Sequence, residues 1–292
     1  MKIAAIGEAM IELSMMDDTA DVRVAGDTLN TAIYLKRCAP DLQVDYVTRV
    51  GTDAFSDRII ATMQAEDIGT HTVERDPQGT PGLYAITTDA QGERSFSYWR
   101  DTSAARMVFV TPDGPDFSAL DSYDVVYTSA ITLAIMPAST RAALIRWLQA
   151  YRRLGGRVAF DSNYRPRLWG DVEAARAAMS AMWALCDIAL PSIDDEMALT
   201  GETASAVAAR FLGLKRTGAL KRGADGPLCL QSGTTASYPK AERVVDTTAA
   251  GDSFNGAYLA SVLTGGPQAD ALRAGHDLAC QVIGHRGAIL PR

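Results

Sequence analysis

From about residue 121 onward the chain alternates short apolar runs with amphipathic helical stretches, and few folds accommodate that rhythm. YDVVYTSA is followed by TRAALIRWLQAYRRLG, RVAFD, a helical stretch near 171–185, CDIALPS and a helical stretch near 193–200. GALKRG and PLCLQSG read as further strands, and two helices are expected near 251–264 and 267–284. Strands that are apolar throughout must be covered on both faces, and intervening helices supply the crossovers that parallel pairing needs. The expected fold class is therefore α/β, a mostly parallel central sheet between helices, with ligands bound beyond the carboxyl ends of the strands.

The first part of the chain fits the same plan. KIAAIG reads as a buried strand, and MIELS and DVRVAG as half-exposed ones. In GDTLNTAIYLKRCAP, Asp27 is expected to cap a helix whose apolar face carries Leu29, Ala32, Ile33 and Leu35, with Pro40 just past its end. VDYVTRVG is a strand, and DAFSDRIIATMQAEDIG a helix that stops near Gly69. Residues 80–100 break the rhythm with strands alone: GLYAITT, a DAQG turn and RSFSYWR make a hairpin. With a period of two, Phe96, Tyr98 and Arg100 share one face, and Tyr84 and Ile86 share a face of the partner strand. Such an aromatic and cationic surface suits a small β lid, expected from about 10–25 and 72–100, on a single domain spanning 1–292.

Bulk properties narrow the partners. A formal charge of −7 without clustered Lys and Arg argues against nucleic acid or a membrane surface and favours a small ligand. The N-terminal stretch carries Glu8 and Glu12 where a secretion signal would be uncharged, and no run approaches the ~18 apolar residues of a membrane span, so a cytoplasmic location is expected. Cys38, Cys186, Cys229 and Cys280 are far apart and form no C-x-x-C pair, which favours buried free thiols. The three His residues are too few for a His-rich metal centre. G-x-S-x-G and the P-loop pattern are absent, and the first strand leads into GEAMIE rather than a dinucleotide-binding G-x-G-x-x-G.

The segment with most chemistry in it is DTTAAGDSFNGAYLA. A turn of small residues, Thr248, Ala249, Ala250 and Gly251, enters a helix marked by Phe254, Ala257, Tyr258, Val262 and Leu263. Unpaired N–H groups and the dipole at such a helix start make a site for phosphate. Asp252, at its mouth, can take the proton of an attacking hydroxyl while the amides hold the transferred group. On spacing alone, Asp252 fits equally well as a first-turn carboxylate that stabilises its helix.

DTTAAGDSFNGAYLA resembles the C-terminal signature of the PfkB, or ribokinase-like, carbohydrate kinases, whose pattern is D-T-x-G-A-G-D. The resemblance implies a three-layer sandwich with a small β lid, Asp252 as catalytic base and the 249–252 amides as an anion hole. It also implies that Asp246 orients the loop or a monovalent cation. Ala249 stands where the family commonly has Gly. GDTLNTAIYLKR is similar to the family's G-G-x-x-x-N motif, with Ala25 replacing the first Gly; by itself it would be only a capped helix. KRGADG is similar to the glycine-containing ATP loop, which brings Lys221, Gly223, Ala224, Asp225 and Gly226 alongside the nucleotide; by itself it is a hairpin turn. PSIDDEMALTG resembles the N-x-x-E segment near the Mg²⁺ water shell, with Ser192 in place of Asn and Asp195 in the Glu position.

GDTLN, TPGLY, YWRDTSAAR and FDSNYRPRLW together look closest to the members that phosphorylate 2-keto-3-deoxygluconate. The resemblance then implies that Gly26, Asp27, Asn30, Tyr84, Tyr98, Arg100 and Arg165 contact the sugar acid, and that Asn163 and Arg165 also approach the ATP phosphates. Arg suits a carboxylate through its fork of donors, and Tyr a keto or hydroxyl group. Arg167 is expected at the surface. A fructokinase or another sugar kinase of the same fold is the alternative, and a silent sugar or nucleotide sensor is the alternative from another class; intact Gly251 and Asp252 speak against the latter. ATP and Mg²⁺ are the implied cofactors, and the resemblance also admits a homo-oligomer.

Overall fold

The computed structural model describes residues 1–16, 18–88 and 94–292, so the DAQG turn expected at 89–92 lies outside the described residues. In chain order the first elements are β1 (Lys2–Ile6), β2 (Met10–Met16), β3 (Thr19–Ala25), α1 (Asp27–Cys38), β4 (Gln43–Val50), α2 (Ala54–Ala65) and β5 (Val73–Arg75). Then come β6 (Gly82–Thr88), β7 (Arg94–Trp99), β8 (Val110–Thr111), β9 (Gly114–Pro115), β10 (Val125–Ser129), α3 (Ala130–Ile135) and α4 (Ala138–Arg153). The remainder is β11 (Arg157–Asp161), α5 (Val172–Leu185), β12 (Ile188–Leu190), α6 (Ile193–Thr200), α7 (Ala204–Gly213), β13 (Thr217–Leu220), β14 (Leu228–Cys229), α8 (Ala250–Leu263) and α9 (Gln268–Ile283).

Eight strands form the central sheet in the order β14-β13-β12-β11-β10-β1-β4-β5, parallel throughout except for the β13–β14 pair. The two-residue alternation of β1 sends Ile3 and Ala5 to one core, with Leu29, Tyr258 and Leu272 from α1, α8 and α9. Ala4 and Ile6 go to the other, with Leu144, Met179 and Phe211 from α4, α5 and α7. Burial on both faces is what the unbroken apolar strands require, and it makes three layers. The chain leaves β1 toward β4 on one side and returns to β10 on the other. The carboxyl ends of β1 and β10 therefore flank the point where strand order reverses, the usual ligand crevice of such sheets. Among the described residues no helix is long and apolar enough to cross a membrane.

A second, four-stranded sheet has the order β3-β2-β6-β7. Its register sets Tyr84 opposite Tyr98 and Ile86 opposite Phe96, so the two residue sets expected from the period of two lie side by side. Residues 73–75, expected in this small sheet, instead pair with β4 at the edge of the central one. Two other expectations are corrected. Asp27 does not cap α1: Gly26 is the cap residue and no side chain caps the helix, because Asp27 is turned to other partners. Of the four thiols only Cys186 and Cys229 are buried; Cys38 is exposed and Cys280 half-buried. Helix α7, which the sequence reading did not anticipate, is capped by Thr203, whose hydroxyl accepts the Ala206 N–H.

Candidate active site

The carboxyl ends of the central strands present Glu8 after β1, Ser129 on β10, Asp161 on β11, Ser192 after β12 and Lys221 after β13. All but Ser129 line a cavity of ≈ 1000 Å³, closed from above by Tyr84, Phe96 and Tyr98 of the small sheet and flanked by the starts of α1 and α8. The cavity brings together Gly26, Asp27, Asn30, Tyr84, Tyr98, Arg100, Asn163, Arg165, Asp195, Lys221, Gly223, Ala224 and residues 249–252, out of all the candidates from the sequence. Asp225 and Gly226 of the KRGADG segment do not line it. Gly226 has a left-handed φ of 71° and packs against Tyr238, so its role is to turn the chain.

At the start of α1, Gly26 is required by close approach: a Cβ there would lie 2.2 Å from the Glu8 carbonyl oxygen. That contact brings the first turn of the helix against the end of β1. Asp27 points into the cavity, accepting hydrogen bonds from Ser129 Oγ and, at 2.9 Å, from Asn163 Nδ2. Burial pushes its carboxyl up, nearby Asp161 adds to the effect, and the Ser129 and Asn163 donors oppose it. Asn30, one turn on, donates its Nδ2 to Asp252 at 2.9 Å, while its buried Oδ1 has no partner among the described residues.

Asp252 sits in the first turn of α8, half-buried at the cavity wall, and its carboxyl is pushed up to about 8. Burial is the main cause; the negative charges of Asp27 and Asp161 add to it, and Asn30 and Lys221 work against it. Of the 249–252 amides, that of Ala250 donates to the Thr247 carbonyl at 3.2 Å, whereas Gly251 and Asp252 have no backbone acceptor among the described residues. Ala249, the cap residue, has φ 60° and ψ 16°. This left-handed conformation is what the family's usual Gly provides, and Ala adopts it at a cost of about 1 kcal/mol. Asp246 fastens the turn by accepting the N–H groups of Thr248 (3.0 Å) and Gly287 (2.7 Å).

The end of the cavity under the small sheet is aromatic and cationic. Tyr84 stacks on Tyr98 with ring centroids 5.6 Å apart, and Phe96 lies 6.3 Å from Tyr98. The Tyr84 hydroxyl donates to the buried Glu12, so this residue offers the cavity its ring rather than its hydroxyl. Arg100 is only 8% exposed and forms an ion pair with Glu8, itself 1% exposed. Arg100 Nε is left without a partner among the described residues, an unmatched donor beside the cavity. Burial pushes the Glu8 carboxyl up, and the Arg100 guanidinium opposes it. Arg165 is half-exposed and reaches Asp195 at 3.3 Å, while Asp195 also accepts from Ser162 Oγ at 2.8 Å. Arg167 is exposed, as expected, yet its guanidinium lies 4.0 Å from the centre of the Tyr98 ring, a cation–π contact between the main body and the small sheet.

Sequence reasoning missed Glu8 and Asp161, although each stands at a strand's carboxyl end, the position that could have marked them. It also missed the opposite end of the cavity, where Lys240, Ala241 and Val244 face His276, Ala279, Cys280 and Ile283. No group of three or more His, Cys, Asp or Glu among the described residues could hold a metal by itself. A Mg²⁺ ion that arrives on phosphates needs only one or two protein carboxylates, often through water, and Asp195 at the cavity edge fits that part.

Along its whole length the chain is similar to known carbohydrate kinases. A family profile described as pfkB family carbohydrate kinase matches residues 1–292. The 2-dehydro-3-deoxygluconokinase of Dickeya dadantii is 47% identical over 305 aligned residues, covering 99% of this chain and 96% of the relative. That of Escherichia coli K12 is 43% identical, covering 100% and 97%. Among solved structures, a fructokinase from Xylella fastidiosa with bound ATP superposes with a TM-score of 0.81 at 20% identity, covering 98% of this chain and 93% of that one. The chain belongs to the pfkB family of carbohydrate kinases.

Proposed function

We propose that this protein transfers the γ-phosphoryl group of ATP to the terminal hydroxyl of 2-keto-3-deoxygluconate, giving 2-keto-3-deoxy-6-phosphogluconate. The observation that carries the reading is Asp252, a half-buried carboxylate with a raised pKa at the start of α8, set between free first-turn amides and an end of the cavity that contains Arg100. The 43–47% identity to enzymes of that name supports the choice of acceptor.

The sugar acid occupies the end under the small sheet. Its apolar face rests on Tyr84 and Tyr98, and its carboxylate faces Arg100 and Arg165. Asn30 holds Asp252 toward the acceptor hydroxyl. As the oxygen attacks the γ-phosphorus, its proton passes to the Asp252 carboxylate, and the bond to the ADP oxygen breaks with its electron pair remaining on ADP. The amides of Gly251 and Asp252, reinforced by the dipole of α8, stabilise the charge on the phosphoryl oxygens. Asp195 would be the protein carboxylate that helps hold Mg²⁺ at the cavity edge, and the ion would supply charge neutralisation to the phosphates. ATP extends past Lys221, Gly223 and Ala224 toward the His276 end. Asp246 orients the catalytic turn and is the residue beside which a monovalent cation would act. The setting for this chemistry is the cytoplasm.

The test is a panel of acceptors at equal ATP. 2-Keto-3-deoxygluconate should give the highest kcat/KM, with fructose at least about a hundredfold lower, because fructose has no carboxylate to accept the unmatched Nε–H of the buried Arg100. Equal or better turnover of fructose would replace this reading with the fructokinase alternative.

A further inference from the structure

Lys221 follows β13 and extends into the cavity, yet its surroundings are those of a core residue. Its side chain is 13% exposed, and Nζ donates to Asp161 Oδ1 at 2.6 Å and to Asn255 Oδ1 at 3.2 Å. An ammonium has three N–H groups, so these two bonds leave one. It lies close to the glycine of the catalytic turn: a Cβ added to Gly251 would be 3.7 Å from Nζ, ordinary contact distance. The charge thus stands directly beside the first-turn amides of α8, on the same cavity wall as Asp252.

Asn255 links this cation to the catalytic turn. It is fully buried one turn into α8, and its Nδ2 donates to the Tyr127 hydroxyl at 3.3 Å. That hydroxyl lies 3.1 Å from Thr31 Oγ1, which in turn donates to the main-chain carbonyl of Asp252 at 3.2 Å. Donors and acceptors are consistent along the whole series, from Lys221 through Asn255, Tyr127 and Thr31 to Asp252. Asn255 is bonded to both Lys221 and Tyr127, so the series holds the ammonium in place relative to the catalytic turn.

We propose that Lys221 is a catalytic residue, donating its remaining N–H to a non-bridging oxygen of the phosphoryl group in transit, and that Asn255 is the positioning residue that holds it there. This deepens the reading above and rests on it. Lys221 keeps its proton throughout: the phosphorus–oxygen bond to ADP breaks, the bond to the acceptor oxygen forms, and the acceptor's proton goes to Asp252. Asp161 holds the ammonium at its post. Removing the cation alone would leave the Asp161 carboxylate without its partner near Asp252, which would push Asp252 higher still and move the acidic limb of the rate profile upward.

The experiment compares wild type, Lys221→Met, Lys221→Met/Asp161→Asn, Asn255→Ala and Asn255→Ala/Lys221→Met, with thermal midpoints as the check on folding. The double variant at 221 and 161 removes both charges, so that no orphaned carboxylate clouds the result. Both Lys221 variants should lose about a hundredfold in kcat at saturating ATP, the scale of one oxyanion donor, with the KM for ATP changed less than about fivefold. Asn255→Ala should lower kcat by about tenfold and have no further effect on the Lys221→Met background, as members of one unit behave. Lys221→Met should also shift the acidic limb upward relative to Lys221→Met/Asp161→Asn. The proposal is overturned if the charge-free double variant keeps kcat within about fivefold of wild type, if only the KM for ATP changes, or if the Asn255 and Lys221 effects multiply. Wild-type turnover of 2-keto-3-deoxygluconate, measured first, separates the two levels. An active wild type beside an active Lys221→Met variant overturns this inference alone, whereas an inactive wild type overturns the underlying reading and this inference with it.

Discussion

Replacing Asp252 with Asn should make the protein less active and more stable, and the stability gain should grow with pH. The Asp252 carboxyl is pushed up to about 8 in the folded protein, against about 3.9 for an unperturbed Asp. Between those values the folded chain holds a proton that the unfolded chain has released. For this group the folded state binds more protons, so stability falls as pH rises through the window. From pH 5 to pH 8 the loss is about 4 kcal/mol, taken as ~1.36 kcal/mol for each of about three pH units. Asn cannot ionise and escapes that loss, and its Oδ1 can still accept the Asn30 N–H. At about 2 °C per kcal/mol for a chain of this size, the difference in Tm between variant and wild type should widen by about 8 °C from pH 5 to pH 8. Differential scanning fluorimetry of both proteins at several pH values measures this directly, because other titrating groups are common to the pair. Turnover of Asp252→Asn should be at least about a hundredfold lower. Parallel Tm curves for the two proteins would refute the reasoning, since they would mean that the carboxyl ionises in the folded state as it does in water.

The same raised pKa governs the rate. The base must be ionised in the free enzyme, so kcat/KM for the acceptor should rise about tenfold per pH unit up to about pH 7.5 and level off above pH 8; a flat profile between about pH 6 and 9 would remove Asp252 as the titrating base. Ala249→Gly relieves the left-handed strain at the cap of α8 and should raise stability by about 0.5–1 kcal/mol while leaving kcat within about twofold, as read by urea unfolding and steady-state kinetics. A loss of stability in that variant would show that Ala249 is not strained.

The features legible in the sequence are those set by local periodicity. The alternation of RVAFD and its fellows with helices gave the parallel sheet, and the period of two placed Phe96 with Tyr98 on one face and Tyr84 with Ile86 on a face of the partner strand, while the register that sets Tyr84 opposite Tyr98 came only from the structure. The turn at 248–252 was legible because small residues before a helix have few other uses. What escaped notice depends on contacts between distant segments. An Asp just before an apolar helical stretch looks like a cap, and only Ser129 and Asn163, more than a hundred residues away, turn Asp27 into a cavity carboxylate. Glu8 is marked by its pairing with Arg100 across 92 positions, and Asp161 by its pairing with Lys221. The far end of the cavity is built largely of small and apolar residues on α9, such as Ala279 and Ile283, which carry no chemical signature in a linear sequence. Tyr84 was legible as a site residue, but its hydroxyl's bond to Glu12 was not, so the donor expected for the sugar acid is an aromatic surface instead.

The central claim is that a half-buried carboxylate at the start of α8 activates the terminal hydroxyl of a sugar acid toward ATP. Its most direct test is ³¹P and ¹³C NMR of the products formed from ATP and 2-keto-3-deoxygluconate. The account predicts one phosphomonoester on the terminal carbon for each ADP formed. ATP turned over to free phosphate without a phosphoester, or a phosphoester at another carbon, would contradict it.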